Sequence, residues 1–198
     1  MKKTICRSER SRMLWIAAAM CLGLSCSEYT PKPRGYFRIE LPPPVYTLLV
    51  PDSLPCFFHV SSLARAEFPP AGSPAGWITL SYPSLDAGIY CSYLPVGPST
   101  LEEVFGESRR LIARQAGNAS SIRVQSYANP QEKIYALLYE SEGSPASPVQ
   151  FTLTDSVRNF FRGTLLYNHS SQTDSLAPVT RYLKADITEL IQSFRWKK

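Results

Sequence analysis

Hydrophobic positions along the chain fall into three regimes. Met13 to Leu24 is an unbroken apolar run behind a basic start. Two later stretches repeat apolar residues at helical spacing: Leu101, Val104, Phe105, Leu111 and Ile112, then Val179, Leu183, Ile187, Leu190, Ile191 and Phe194. Intervals of three and four residues bring such side chains onto one face of a helix. Elsewhere, short apolar or alternating runs bounded by turn residues predict strands at Cys56–Val60, Trp77–Tyr82, Gly88–Tyr93, Ile122–Tyr127, Ile134–Glu140, Val149–Thr154 and Phe160–Asn168. Val149 to Leu153 alternates as a strand with one covered face would. The polar Thr154-Asp155-Ser156-Val157-Arg158-Asn159 that follows predicts a hairpin turn.

Ser99 and Glu102 match a capping box before the first helix, and Gly117 is a suitable stop after it. The second helix is expected to open near Asp174 and Ser175, to hold Pro178 in its first turn and to run to about Phe194. Prolines at 31, 33, 42, 43, 44, 51 and 55 exclude a long helix between Ser27 and Pro55. Ser27 to Gly35 reads as a tether, while Tyr36–Ile39 and Tyr46–Val50 read as an edge strand or a strap. Ala64 to Gly76 reads as a surface loop. The pattern implies an α+β fold, with one domain over 36–198 whose mostly antiparallel sheet packs with two main helices.

The apolar run has its own meaning. Twelve residues rise about 18 Å as a helix, short of the roughly 30 Å of a bilayer core. With Lys2, Lys3, Arg7, Arg10 and Arg12 around or before its start, residues 1–25 read as an export signal that is later removed. Its end, Leu22-Gly23-Leu24-Ser25-Cys26, resembles the lipobox of bacterial lipoproteins, in which the cysteine thiol takes diacylglycerol and becomes the new N-terminus. Gly23 stands where that pattern usually has leucine. Acylated Cys26 would hold residues 26–198 on a membrane lipid without a spanning segment; simple secretion, with Cys26 a bystander, is the alternative.

Charge changes the picture once the leader is set aside. The whole chain carries +5, but residues 26–198 hold 16 basic and 15 acidic groups. A near-neutral body has no broad phosphate-binding stripe, so no nucleic-acid partner is expected. Arg195-Trp196-Lys197-Lys198 reads as solvated surface.

Dedicated chemistry is sparse. His59 lies in an aromatic strand and reads as half-buried packing; His169 falls in a loop with no partner in sequence. Glu140 and Glu142 share a strand face, and only a cleft uniting them with His59 would suggest catalysis. Cys56 and Cys91 are candidates for a disulfide between neighbouring strands, the other reading being two unpaired buried residues. Two cysteines and two histidines without close spacing make no metal site, and no cofactor motif occurs. Polar and structured residues are densest from Glu140 to Pro178. A partner-binding rim there would use Glu142, Asp155, Arg158, Arg162 and Asp174, although turns and caps also explain several of them.

These same segments carry a family likeness. Pro31-Lys32-Pro33-Arg34-Gly35-Tyr36-Phe37-Arg38-Ile39, Leu41-Pro42, Trp77-Ile78 and Tyr82-Pro83 open it. Glu142-Gly143, Ala146-Ser147-Pro148, Gln150-Phe151, Thr154-Asp155-Ser156 and Phe161-Arg162-Gly163 continue it, and Asp174 to Val179, Asp186-Ile187 and Phe194-Arg195-Trp196-Lys197 close it. The chain resembles the GldD family, the gliding-motility-associated lipoproteins of Bacteroidetes, over essentially all of residues 26–198. The resemblance implies a non-enzymatic accessory of gliding-motility or type IX secretion machinery that contacts other envelope proteins. Ser27-Glu28-Tyr29 lacks the acidic run of surface-exported lipoproteins of that phylum, which favours a periplasm-facing anchor. Asp52-Ser53-Leu54, Asp155-Ser156-Val157 and Asp174-Ser175-Leu176 resemble its O-glycosylation sequon, and each is equally a turn or cap. The layout also resembles the PsbP/Mog1-type α/β/α sandwich. The alternative function is a carbohydrate or peptidoglycan binding module built on exposed aromatics such as Trp77, Tyr82, Tyr127 or Trp196.

Overall fold

Strand alternation builds the middle layer of the molecule. The computed structural model describes residues 41–70, 76–168 and 173–197. Its main sheet combines β3 (Arg65–Glu67), β4 (Trp77–Tyr82), β5 (Ala87–Pro95), β6 (Asn118–Asn129), β7 (Ile134–Ser144), β8 (Val149–Thr154) and β9 (Asn159–Tyr167) in the order β3-β4-β5-β9-β8-β7-β6. Every pairing is antiparallel. Hairpins make the neighbours at each end, and the long-range pairing of β5 with β9 joins the two halves.

One face of this sheet meets helix α2 (Thr173–Ser193) and a small sheet in which β2 (Cys56–Ser61) lies between β1 (Tyr46–Leu49) and β10 (Arg195–Trp196). The α2 stripe read from the sequence, Val179 to Phe194, is buried throughout. It packs with Ile78, Leu80, Ile89, Leu138, Phe151, Leu153, Phe161 and Leu165 from the sheet. Phe194 stacks against Phe58 at 5.8 Å and meets Phe161 at 5.3 Å. Each such buried ring contributes on the order of 1.5–3 kcal/mol. Gly163 leaves room for the core: a Cβ there would stand 2.3 Å from the Phe151 ring, which lies across the glycine instead.

The other face carries helix α1 (Leu101–Ala116), whose Phe105 meets Phe160 edge to face at 5.1 Å. Two covered faces explain why all six residues of β8 are buried, where the alternation predicts one covered face. A central strand between two layers buries its polar positions as well as its apolar ones. Three other expectations change. The α1 cap is Thr100, whose side chain bonds Gly97 and not the helix, so the capping box of Ser99 and Glu102 does not form. Arg65–Glu67, within the expected loop, pairs with β4 as an edge strand. Arg195 and Trp196 pair with Phe57 and Cys56 of β2, and the Lys197 amide donates to Pro55, so this segment completes the small sheet. Its charged side chains hide that role, since pairing uses backbone groups alone. The Tyr46 strap forms as β1. The leader, Cys26, the 26–35 tether, Tyr36–Ile39 and His169 lie outside the described residues.

Candidate functional site

The strands that bury apolar side chains against α2 send their alternate residues to the α1 face. There, cross-strand pairing aligns them in rows. Trp77 of β4 lies opposite Ser92 of β5, Ser92 opposite Arg162 of β9, and Arg162 opposite Thr152 of β8. The next row runs Thr79, Tyr90, Thr164 and Gln150. Both rows are polar or aromatic, and α1 covers only their β8 end.

An open cleft of about 640 Å³ remains over the rest, walled by Ser108, Leu111, Ile112 and Gln115 of α1. Trp77 (38% exposed) and Tyr90 (43% exposed) are its surface-facing rings. Paired strands put residues on such a diagonal roughly 7–8 Å apart, within reach of one ligand. The Arg162 Nε donates to Ser92 Oγ at 3.0 Å. No ion pair joins Arg162 to a carboxylate among the described residues. The buried Gln150 donates its Nε2 to the Ile112 carbonyl at 3.5 Å, tying the β8 end of the row to α1.

The expected rim residues are placed apart. Asp155 shapes the β8–β9 turn. Its Oδ1 accepts the amides of Val157, Arg158 and Asn159 at 2.8–2.9 Å, and its Oδ2 accepts Asn159 Nδ2 at 2.7 Å. Burial alone would raise its pKa, but these donors outweigh it and hold the carboxyl below its usual range. Arg158 stands exposed on the same turn. Glu142 sits toward the opposite end of the sheet, since β7 and β8 run antiparallel and Glu140 pairs with Val149 while Tyr135 pairs with Thr154. There it accepts from Ser121 and Arg123 at 2.9 and 3.1 Å. Arg162 points into the cleft, and the side chain of Asp174 lies outside the described residues. The sheet therefore unites Asp155 with Arg158 and separates both from Glu142. Distance along the strands, invisible in a count of nearby polar residues, decides this.

The catalytic constellation does not assemble. His59 Nδ1 meets Glu189 at 2.8 Å, Glu140 meets Lys184 at 2.8 Å, and Glu142 meets Arg123. Three carboxylates thus have three separate partners. Cys56 and Cys91 are buried free thiols facing the same core, so the candidate disulfide is not formed in this structure. Burial pushes the Cys56 thiol up to about 12 and Cys91 upward as well, which disfavours the thiolate form.

Of the four aromatics proposed for a sugar platform, only Trp77 is exposed. Tyr82 is buried, while Tyr127 and Trp196 pack against the core. Tyr90, Ser92, Thr79 and Thr164 have no functional reading in the sequence, and Gln150 enters there only through the family likeness. Their signal is present, as alternate positions of predicted strands, but the pairing register that aligns them is not.

Residues 26–196 match the family model described as gliding motility lipoprotein GldD. The solution structure of cyanobacterial PsbP (CyanoP) from Synechocystis sp. PCC 6803 is similar with a TM-score of 0.47 and 10% identity, covering 76% of this chain and 92% of that one. No match was found among curated proteins.

Proposed function

The chain belongs to the GldD family of gliding motility lipoproteins, and from that premise we propose that acylated Cys26 anchors the folded body so that it contacts envelope proteins of the motility and type IX secretion machinery. As a family member it is a lipid-anchored, non-enzymatic accessory of the cell envelope. The observation that carries the anchoring is where the family match begins, at Cys26, directly after the short apolar leader. No helix among the described residues is long and apolar enough to cross a membrane. More than one acyl chain makes attachment durable, at about 0.8 kcal/mol per buried methylene. Residues 26–35 then act as the tether, and residues 36–198 as one domain facing the periplasm.

Intact-mass analysis of the mature protein tests the anchor. A diacylglyceryl cysteine at position 26 and a membrane-fraction protein are expected. An unmodified terminus beyond residue 26, with the protein free in the soluble envelope fraction, would refute it. For the contact surface we propose the β8–β9 turn, where Asp155 fixes the backbone that displays Arg158. Arg158→Glu should reduce capture of motility or secretion components while thermal melting stays unchanged. Capture equal to that of an unrelated lipoprotein, before any substitution, would refute the accessory role.

A further inference from the structure

The cleft between α1 and strands β4, β5 and β9 plays no part in the reading above. Its floor combines three features. Trp77 and Tyr90 line it as large aromatic side chains that stay partly open to solvent. Between and beyond them lie hydroxyl and amide groups, Thr79, Ser92, Thr164 and Gln150, in two cross-strand rows. In the middle of one row sits the half-buried Arg162, with Nε held by Ser92 and no carboxylate partner among the described residues.

Each feature constrains the ligand. Over the floor, β5, β9 and β8 are paired on both sides, and β3 covers the outer side of β4 at Thr79, Leu80 and Ser81, so a peptide finds little strand edge to extend here. Recognition must come from side chains reaching up from the floor. Aromatic surface beside hydroxyl groups suits a polyhydroxylated pyranose ring, whose C–H faces stack while its edges hydrogen-bond. A planar guanidinium whose terminal nitrogens have no partner among the described residues suits a carboxylate, which it engages through two parallel bonds. The volume of about 640 Å³ falls within the ordinary range for small-molecule sites.

We propose that this cleft binds a saccharide unit bearing a carboxylate, with Trp77 and Tyr90 stacking on the ring and Arg162, oriented by Ser92, receiving the carboxylate. The site is independent of Cys26 and of the β8–β9 turn, so its failure leaves the anchoring and the partner contact standing.

Titration calorimetry on the full mature protein in detergent tests it with two pairs of probes, N-acetylmuramic acid against N-acetylglucosamine and glucuronic acid against glucose. The first pair differs by a lactyl ether that ends in a carboxylate, the second by a carboxylate in place of a hydroxymethyl group. The acidic member should bind saturably and about tenfold or more tightly than the neutral one, as a charged hydrogen-bonded pair implies. Arg162→Gln should erase that preference while weak binding of both remains. Trp77→Ala should weaken both, with melting temperature within a few degrees of the parent in either variant. Ser92→Ala, a smaller change, should reduce the preference without abolishing it. Equal affinity within each pair, or no saturable binding of any sugar, would each overturn the proposal.

Discussion

Tyr46 donates its hydroxyl to Asp186 across 140 residues of chain, at 2.9 Å. The second oxygen of the same carboxylate accepts from Tyr82 at 3.1 Å. Asp186 is only 4% exposed. One buried acid thus joins the N-terminal strap, the main sheet and α2. The strap gains its hold on the body at this point as well as through β1–β2 pairing.

Removing one donor should therefore loosen the junction. Tyr82→Phe leaves a buried carboxylate short of a hydrogen bond and should cost about 1.5–3 kcal/mol, the range for bonds to charged groups. Tyr46→Phe acts at a more exposed site and should cost less. Chemical denaturation of the two variants and of the double variant checks this. Because both hydroxyls share one acceptor, the double loss should differ from the sum of the single ones.

Asp186 also predicts a pH dependence. Burial is the largest influence on it and raises its pKa above 3.8, outweighing the bonds from Tyr46, Tyr82 and Ser61 that lower it. The folded state then holds the proton more tightly than the unfolded state. This group's contribution is most favourable below pH 3.8 and declines as pH rises through the folded value. Asp155 works in the opposite sense, its lowered pKa giving stability that is lost on acidification from about pH 4 downward. Unfolding free energies of parent and Asp186→Asn measured from pH 3 to 7 should show the parent losing stability relative to the variant as pH rises. Parallel curves would exclude the linkage.

Gly163 and Phe151 form a matched pair. Adding a methyl group by Gly163→Ala brings it to 2.3 Å from the ring, a clash that a central strand has little freedom to relieve. A loss of about 1–3 kcal/mol or more is expected. Phe151→Leu should be destabilising alone yet partly rescue Gly163→Ala, a sign of direct contact that melting curves of the four proteins would reveal.

The β8–β9 turn separates two neighbouring residues by mechanism. Asp155→Ala strips acceptors from three backbone amides and should cost about 1–3 kcal/mol. Ser156 has φ of +65°, a conformation that favours glycine. Ser156→Gly should accordingly be neutral or stabilise by up to about 1 kcal/mol. Thermal denaturation of both variants distinguishes them by sign.

Thiol accessibility gives a last check. Cys56 and Cys91, buried as thiols, should resist iodoacetamide at neutral pH in the folded protein, and both should react in guanidinium without a reductant. Labelling of the denatured protein only after reduction would instead show the disulfide.

Element types and most core residues follow from the chain itself. The α2 stripe is legible because helical periodicity is a local property, and each apolar position repeats within one or two turns. Trp77–Tyr82 and Val149–Thr154 match their expected strands end to end, since alternation and flanking turn residues are equally local. The tertiary structure decides what depends on partners distant in sequence. It covers β8 on both faces, draws the basic C-terminal segment into β10, sends Glu142 and Asp155 to different ends of one sheet, and sets Trp77, Ser92 and Arg162 in a row. Register is a relation between strands: a shift of one residue turns every side chain to the opposite face without altering either strand's own pattern.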